Sequence, residues 1–217
     1  MLESVIHSGK PAEQTSPDQA LEIAVDDLLS PIRFREVFWN DLPLEVDLGS
    51  GPGKFIVDAA KSFPNRNFLG VERLLGRVRK TRRRAYQLGI VNLRILRMEM
   101  EYAVKYLFPR QSVSRFHLSF PDPWPKRRHQ TRRVADREFF EALWCALMPD
   151  GEVRIKTDHE DYFKQIVRVA ADSALWNFLP WIDDGYPVTD FEQEFLAKNS
   201  PIYRLRVGRR IAAPQKV

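Results

Sequence analysis

The sequence predicts an α/β fold in which a doubly wound, mostly parallel sheet carries helices on both faces. From about residue 44 onward, short apolar segments alternate with longer segments in which apolar side chains recur at helical spacing. A glycine-rich turn follows the first apolar segment, and an acidic side chain stands near the end of each of the first four. Such alternation is typical of parallel strands joined by helical crossovers.

The elements follow from local patterning in chain order. Residues 1–30 are predicted to form a loose arm with one short helix, which begins at Ser16-Pro17-Asp18 and runs through Leu29, and residues 31–217 a single domain. The predicted strands span residues 44–48, 68–71, 93–96, 115–119, 152–157 and 203–207. The predicted helices span residues 54–62, 74–88, 102–107, 137–147 and 162–174. The run Pro149-Asp150-Gly151 predicts a turn before the strand at 152–157, and residues 176–207 are expected to hold one or two strands, of which the one at 203–207 is the clearer.

Basic side chains are clustered along the chain. The 217 residues are 44% hydrophobic, which suffices for a sizeable core, and the net charge is +5 with a pI near 9.4. Two segments, 73–84 and 126–133, hold much of the excess positive charge, which predicts a surface for nucleic acid or another polyanion. On the first segment, one helix face would form a phosphate-binding stripe of four side chains, namely Arg73, Arg77, Lys80 and Arg84.

The single cysteine, Cys145, lies in an amphipathic pattern and excludes a disulfide within the chain. No basic-then-apolar leader pattern precedes the fold, and no apolar run approaches the roughly 18 residues that span a bilayer. We therefore expect a cytoplasmic enzyme or binding protein, a monomer or homodimer, with no metal and no membrane association.

The glycine turn places backbone close to a ligand. Gly49, Gly51 and Gly53 follow the first strand, where a parallel sheet lines its binding crevice. A phosphate-binding P-loop would require Lys-Ser or Lys-Thr, whereas Phe55 follows Lys54 here. The dinucleotide fingerprint fits poorly as well, because its third glycine is missing at the required spacing.

Four acids are predicted to stand around this crevice, at the carboxyl ends of neighbouring strands. They are Asp47, Glu72, Glu99 and Asp122. Such a ring would repel a pyrophosphate but hold a sulfonium or ammonium. S-adenosylmethionine carries both cations, and its ribose diol could donate hydrogen bonds to Glu72.

The segment after the fourth strand predicts a nucleobase pocket with a phosphate grip beside it. Pro121 and Pro123 hold Asp122 on a stiff extended turn. Trp124 could stack on a base, and the cations that follow could neutralise phosphates. Those cations are Lys126, Arg127 and Arg128, with His129 after them.

The chain resembles the bacterial tRNA (guanine-N7)-methyltransferase family from about residue 44 to residue 206. The most specific match is the proline-flanked acid with its tryptophan and basic tail, residues 120–129, whereas the glycine turn, residues 47–53, is common to many methyltransferases. Further matches lie at residues 69–72, 92–94, 157–158 and 189–192.

This resemblance implies a Rossmann-like class I methyltransferase fold and methyl transfer from S-adenosylmethionine to N7 of a tRNA guanosine in the variable loop. Cofactor contacts would come from six residues, with Asp122 also catalytic, namely Asp47, Gly49, Gly51, Glu72, Glu99 and Asp122. Substrate contacts would come from Trp124, Lys126, Arg127, Arg128, Asp158, Thr189, Asp190, Phe191 and Glu192.

Three rival functions are open at this stage. A methyltransferase for an exocyclic amino nitrogen would place Pro-Pro after its acid or amide, which Asp122-Pro123-Trp124-Pro125 does not match. A nicotinamide-dependent oxidoreductase is disfavoured by the glycine spacing and by the acids. A non-catalytic RNA-binding protein on the same fold is the third.

Overall fold

The computed structural model describes residues 17–210, so the first part of the predicted N-terminal arm lies outside the described residues. The strands are β1 (Leu44–Leu48), β2 (Asn67–Val71), β3 (Leu93–Leu96), β4 (Val113–Ser119), β5 (Leu147–Thr157), β6 (Trp176–Leu179) and β7 (Tyr203–Arg209). The helices are α1 (Phe34–Phe38), α2 (Lys54–Ser62), α3 (Leu75–Gln87), α4 (Met100–Tyr102), α5 (Arg137–Ala146), α6 (Glu160–Asp172) and α7 (Asp190–Ala197). Short 3₁₀-helices occur at Pro17–Leu21 and Arg127–Arg132, and α4 continues as a π-helix at Ala103–Leu107.

The seven strands form one sheet in the order β3-β2-β1-β4-β5-β7-β6. The first five in this order run parallel, whereas β7 is antiparallel to both β5 and β6. This confirms the predicted mostly parallel sheet. Its strand order reverses between β1 and β4, which is where open α/β sheets bind their ligands.

Helices cover both faces of the sheet, as predicted. On one face Val46 and Leu118 belong to the same buried cluster as Phe139 of α5 and Ile166 of α6. On the other face a second cluster joins α2 and α3 to β2 and β3. Successive side chains of a strand point to opposite faces, so Glu45 and Asp47 face away from the cluster that holds Val46.

The predicted N-terminal helix through Leu29 is wrong. Only Pro17–Leu21 is helical, as a 3₁₀ turn, and the chain then runs beside β3, where the Ile23 N–H donates to the Ile95 carbonyl at 2.8 Å. Further on, the Asp27 carboxylate accepts from the Leu29 N–H at 2.8 Å. Such local bonds offer the backbone an alternative to helix.

The predicted turn at Pro149-Asp150-Gly151 is also wrong, because these residues lie within β5. The pairing of β4 with β5 shifts from Val113 opposite Leu147 to Arg115 opposite Glu152. The extra residues of β5 are therefore absorbed as an irregularity inside the strand.

Candidate active site

The turn from β1 into α2 is built on three glycines in the left-handed region. Gly49, Gly51 and Gly53 have φ of 76°, 56° and 79°. The Gly51 N–H donates to the Glu72 carboxylate at 3.1 Å, and the Leu74 N–H donates to the same carboxylate at 2.8 Å. Glu72, at the end of β2, therefore fixes the glycine turn and the start of α3 while lone pairs on its oxygens remain for a ligand.

Asp47 lies beside Glu72 and is almost fully buried. Its side chain is on β1 directly before the glycine turn. Burial, together with the smaller effect of the negative charge of Glu72, raises the pKa of the Asp47 carboxyl to about 7. Two buried carboxylates this close favour a cationic ligand, which would relieve their repulsion.

Glu99 and Asp122 complete the predicted group of acids but differ in exposure from the first two. The Glu99 side chain is 61% exposed and lies 3.4 Å from Arg73. Asp122 is exposed on the loop that follows β4. All four acids thus follow neighbouring strands at the carboxyl edge of the sheet, where Asp47 and Glu72 are buried and the other two are exposed.

The loop that carries Asp122 is held in an unusual backbone conformation. Phe120 and Trp124 have φ of 54° and 41°, a region that L-residues adopt only when surrounding contacts enforce it. Arg133 supplies such a contact, because its Nε donates to the Pro123 carbonyl at 2.7 Å and its Nη1 to Gln165 at 2.6 Å. The Arg133 side chain is buried, and its role was not predicted from the sequence.

Trp124 is half-buried and packs against two of its neighbours. His129 meets the indole edge to face at 5.8 Å, and the Arg132 guanidinium lies 5.0 Å from the ring centroid. Lys126 and Arg128 are exposed beside it, while the side chain of Arg127 lies outside the described part of the chain. The loop therefore presents one aromatic ring amid positive charge, as predicted.

Helix α7 packs against the Asp122 loop. Phe120 contacts Phe191 and Phe195 with ring centroids 6.1 and 5.2 Å apart. Thr189 caps the helix, since its hydroxyl accepts from the Glu192 N–H at 3.0 Å. The structure thereby brings the predicted substrate residues of the C-terminal region next to the predicted catalytic loop, although the sequence analysis did not identify α7 itself.

Glu192 is buried, whereas Asp190 and Phe191 are exposed. The Glu192 carboxylate pairs with Lys156 at 2.6 Å and with Arg204 at 3.1 Å. These three side chains line a cavity of about 350 Å³ that extends from Ser119, at the end of β4, to residues that lead into α7. Asp158 is exposed just beyond the end of β5, at the same edge of the sheet.

The segment 180–189, here called the strap, joins β6 to α7 and crosses the polar face of the sheet. Its Tyr186 hydroxyl bonds the Glu45 carboxylate of β1 at 2.7 and 2.8 Å. Asp184 of the strap forms a two-point ion pair with Arg154 of β5, at 2.6 and 2.7 Å. The strap therefore fixes where α7 begins.

Glu45 is the buried centre of this polar face. Burial alone would raise its pKa, but His117, at 2.9 Å, and Arg115, at 3.4 Å, outweigh that effect and hold the pKa at about 2. Burial lowers the pKa of His117, which keeps the ring neutral at physiological pH. None of these residues was singled out from the sequence.

Three of the four side chains of the predicted phosphate stripe lie within ion-pair distance of an acid. Arg73 pairs with Glu99, Arg77 lies 3.5 Å from Glu72, and Arg84 lies 2.9 Å from Asp58. Of the four predicted side chains, only Lys80 has no ion pair within residues 17–210. Spacing on a helical wheel identified one face of the helix but not the acids opposite it.

The described residues hold neither a candidate metal site nor a helix that could cross a membrane. Within residues 17–210, no group of three or more His, Cys, Asp or Glu side chains is placed to hold a metal ion. No helix in this range has the length and apolar character that a membrane crossing demands.

The sequence of this chain is similar to those of known methyltransferases. Residues 41–205 match a family model described as "Putative methyltransferase". The tRNA (guanine-N(7)-)-methyltransferase of Geobacillus kaustophilus is 34% identical over 184 residues, which cover 82% of this chain and 84% of the relative. The protein of the same name from Listeria monocytogenes serotype 4b is 33% identical over 80% of this chain and 83% of the relative.

Solved structures show the same fold at low sequence identity. The 16S rRNA methyltransferase KamB superposes with a TM-score of 0.61 at 15% identity, over 81% of this chain and 91% of KamB. An rRNA methylase from Streptococcus thermophilus superposes with a TM-score of 0.53 at 15% identity, over 79% of this chain and 89% of that one. The fold is thus that of the class I methyltransferases, and the level of identity to its curated relatives shows that this chain belongs to the tRNA (guanine-N7)-methyltransferase family.

Proposed function

We propose that this protein transfers a methyl group from S-adenosylmethionine to N7 of a guanosine in the variable loop of tRNA. The observation that carries the proposal is the adjacency of two sites at the carboxyl edge of the sheet. The buried Asp47 and Glu72 stand at the ends of β1 and β2, and the Asp122 loop leaves β4, which is the other neighbour of β1. A cation site thus adjoins a site with the chemistry of base recognition.

The residues of the crevice fit S-adenosylmethionine. Gly49 and Gly51 bring bare backbone to the ligand, and Glu72 retains acceptor capacity for a ribose diol. The buried Ser50 hydroxyl has no hydrogen-bond partner within residues 17–210, as expected of a polar group that awaits a ligand. Asp47 and Glu99 add negative charge, and the bound cofactor supplies an electrophilic methyl group on a sulfonium.

The chemistry of guanine N7, the nitrogen that accepts the methyl group, determines what the protein contributes to the reaction. Guanine N7 already has a lone pair in the ring plane, so no proton has to be removed before attack and no general base is needed. The protein contributes by fixing the base in line with the methyl donor. Asp122 accepts hydrogen bonds from the N1 and N2 hydrogens of guanine and stabilises the positive charge that develops on the ring.

The remaining residues around the loop orient the tRNA. Trp124 offers a stacking surface for an exposed base. The cations Lys126, Arg127 and Arg128 neutralise the neighbouring phosphates. On the other side, Glu192 and Lys156 line the cavity, and we assign the substrate contacts of this side to Asp158, Thr189, Asp190, Phe191 and Glu192. We also propose a cytoplasmic location, which a tRNA substrate supports.

The test is methylation of unmodified tRNA with cofactor labelled in its methyl group, followed by nucleoside analysis. We expect the label in 7-methylguanosine. Label in an amino-methylated base would support the rival class of methyltransferase. Tight tRNA binding without cofactor binding or label would instead indicate a non-catalytic RNA-binding protein. Binding of NAD but not of S-adenosylmethionine would indicate an oxidoreductase.

A further inference from the structure

One face of α3 carries cations that the protein itself does not neutralise. Arg77 and Arg84 pair with acids, and the buried Arg82 pairs with Glu22 at 2.5 Å. Arg79 and Arg83 are exposed and form no ion pair within residues 17–210. They are four positions apart, so their side chains lie next to each other on the helix surface.

These two arginines border a groove between α3 and the 3₁₀ turn at Pro17–Leu21. The groove has a volume of about 450 Å³ and is lined by Asp18, Arg79, Arg82, Arg83, Tyr86 and Gln87. Tyr86 is 53% exposed, so part of its ring is open to solvent. A Cβ added to Gly76, in the first turn of α3, would meet no atom of residues 17–210 within 4 Å, so none of these residues obstructs the face at that turn.

The groove is positive although it contains an acid. Asp18 lies 3.4 Å from Arg82, which also pairs with Glu22. Two carboxylates and one guanidinium together carry a net charge of −1. Arg79 and Arg83 leave the groove with a net positive charge. Its walls therefore combine guanidinium groups with one exposed aromatic ring.

We propose that this groove binds the sugar-phosphate backbone of the tRNA, with Arg79 and Arg83 on phosphates and Tyr86 against an unpaired base or a ribose. Guanidinium groups recognise phosphate oxygens at two points, and an aromatic ring stacks on any base. The inference rests on the proposed function for the identity of the RNA. It replaces the stripe predicted from the sequence with the adjacent face of the same helix.

The position of the groove suits a substrate that also reaches the active site. Helix α3 starts directly after Glu72 and Leu74, at the cofactor crevice. With a rise of about 1.5 Å per residue, Arg83 lies about 12 Å along the helix axis from Leu75. A folded tRNA is large enough to contact both.

The test is the affinity of the full chain for unmodified tRNA across a series of salt concentrations, with no cofactor present. The double variant Arg79→Gln/Arg83→Gln removes both charges but keeps long, helix-forming side chains. We expect binding about tenfold weaker at moderate salt, and a slope of log K against log salt that is shallower by about 0.7–0.9 for each phosphate that the variant no longer neutralises. Tyr86→Ala should weaken binding about fivefold or more, and Tyr86→Phe should not.

The matched control is Arg137→Gln/Arg168→Gln, which removes two exposed arginines from α5 and α6 on the opposite face of the sheet. This control should bind as the wild type does. Unchanged affinity and slope in Arg79→Gln/Arg83→Gln would overturn the inference and assign the groove to another kind of partner, such as a second protein. Because the readout is binding, failure of the wild type to form 7-methylguanosine would refute the proposed activity without touching this result.

Discussion

The protonation state of Asp47 indicates which kind of ligand the crevice binds. A carboxyl that is buried beside another carboxylate keeps its proton up to about pH 7, so the crevice in its ligand-free form holds less negative charge than the sequence suggests. A ligand with a sulfonium and an ammonium would favour the ionised form and displace that proton. Cofactor binding and proton release should therefore be coupled.

That coupling predicts a pH dependence of cofactor affinity. S-adenosylmethionine should bind more tightly as the pH rises from about 5.5 to 7, by up to roughly tenfold per unit, and the gain should level off above pH 7. Asp47→Asn should bind more weakly and lose this dependence, while Asp172→Asn, an exposed residue at the end of α6, should keep it. Calorimetric titration over this range measures both, and a flat profile for the wild type would contradict the assignment.

The same shift affects stability in the free protein. The pKa of Asp47 is raised from 3.8 to about 7 on folding, so the folded chain binds more protons than the unfolded chain between these values. The contribution of Asp47 to stability is therefore greatest below about pH 4 and decreases as the pH rises through 7.

Asp122 is the residue on which catalysis should depend most. Loss of a preorganised charge that acts on the transition state costs about 3–4 kcal/mol, so Asp122→Ala should lower kcat about a hundredfold or more at saturating tRNA and cofactor. Single-turnover methylation assays measure this directly. Asp172→Ala is the control for loss of an exposed aspartate, and a kcat for Asp122→Ala equal to that of the control would remove Asp122 from the mechanism.

At the scale of elements, the glycine turn depends on the helix that packs beneath it. Gly53 has φ of 79°, and a Cβ there would overlap the Thr81 side chain of α3. Gly89 also has positive φ, of 63°, but a Cβ at Gly89 would meet no atom of the described residues within 4 Å. A comparison of alanine variants at the two glycines therefore separates the loss of stability due to backbone conformation from the loss due to close packing.

Gly89→Ala should therefore destabilise the protein by about 1–2 kcal/mol, the cost of an L-residue in the left-handed region. Gly53→Ala should add a further penalty of about 1–3 kcal/mol from overpacking. Urea unfolding of both variants measures the difference. Equal losses would show that Thr81 moves aside at no cost and that the close packing of turn against helix is unimportant.

The strap is the element that connects the sheet to the C-terminal substrate residues. Tyr186→Phe removes a hydroxyl that bonds the buried Glu45 carboxylate, and a hydrogen bond to a charged group contributes about 1.5–3 kcal/mol. The free energy of unfolding in urea should fall by that amount. Tyr106→Phe, at a side chain 57% exposed, should change it by less than about 0.5 kcal/mol, and similar values for the two variants would contradict the role of Tyr186.

The sequence predicted elements whose causes are local and missed those whose causes are distant. Strand β1, helix α2 and the loop around Asp122 follow from apolar periodicity, glycines and prolines close together in the chain. The strap was missed because its bond from Tyr186 to Glu45 joins residues 141 positions apart. The N-terminal helix was wrong because the pairing of Ile23 with Ile95 overrides local preference.

The same distinction holds for the candidate site. Strand ends in a parallel sheet meet at one edge, so the four acids could be placed together from the pattern alone. The burial of these acids could not be predicted from the pattern, because it depends on side chains from several elements. Of the four acids, only Asp47 and Glu72 are buried. Arg133 was not distinguished from its basic neighbours, although it is the one that anchors the Pro123 carbonyl.

Across the whole molecule, charge is divided by function rather than spread evenly. The net charge of +5 coexists with buried acids at the crevice, and the exposed cations that form no ion pair within residues 17–210 include Lys126 and Arg128 on the loop after Asp122 and Arg79, Lys80 and Arg83 on α3. Negative charge at the crevice suits a cationic methyl donor, and positive charge around it suits a polyanionic substrate.

The most direct test of this account is to map the methylated nucleotide. Methylation at N7 makes the RNA chain cleavable after borohydride and aniline treatment, whereas methylation of an amino group does not. After incubation of unmodified tRNA with the protein and S-adenosylmethionine, we predict cleavage at one guanosine of the variable loop, and about a hundredfold slower appearance of that cleavage when Asp122→Ala replaces the wild type. Methylated tRNA that resists cleavage, or cleavage that appears at the wild-type rate with Asp122→Ala, would contradict it.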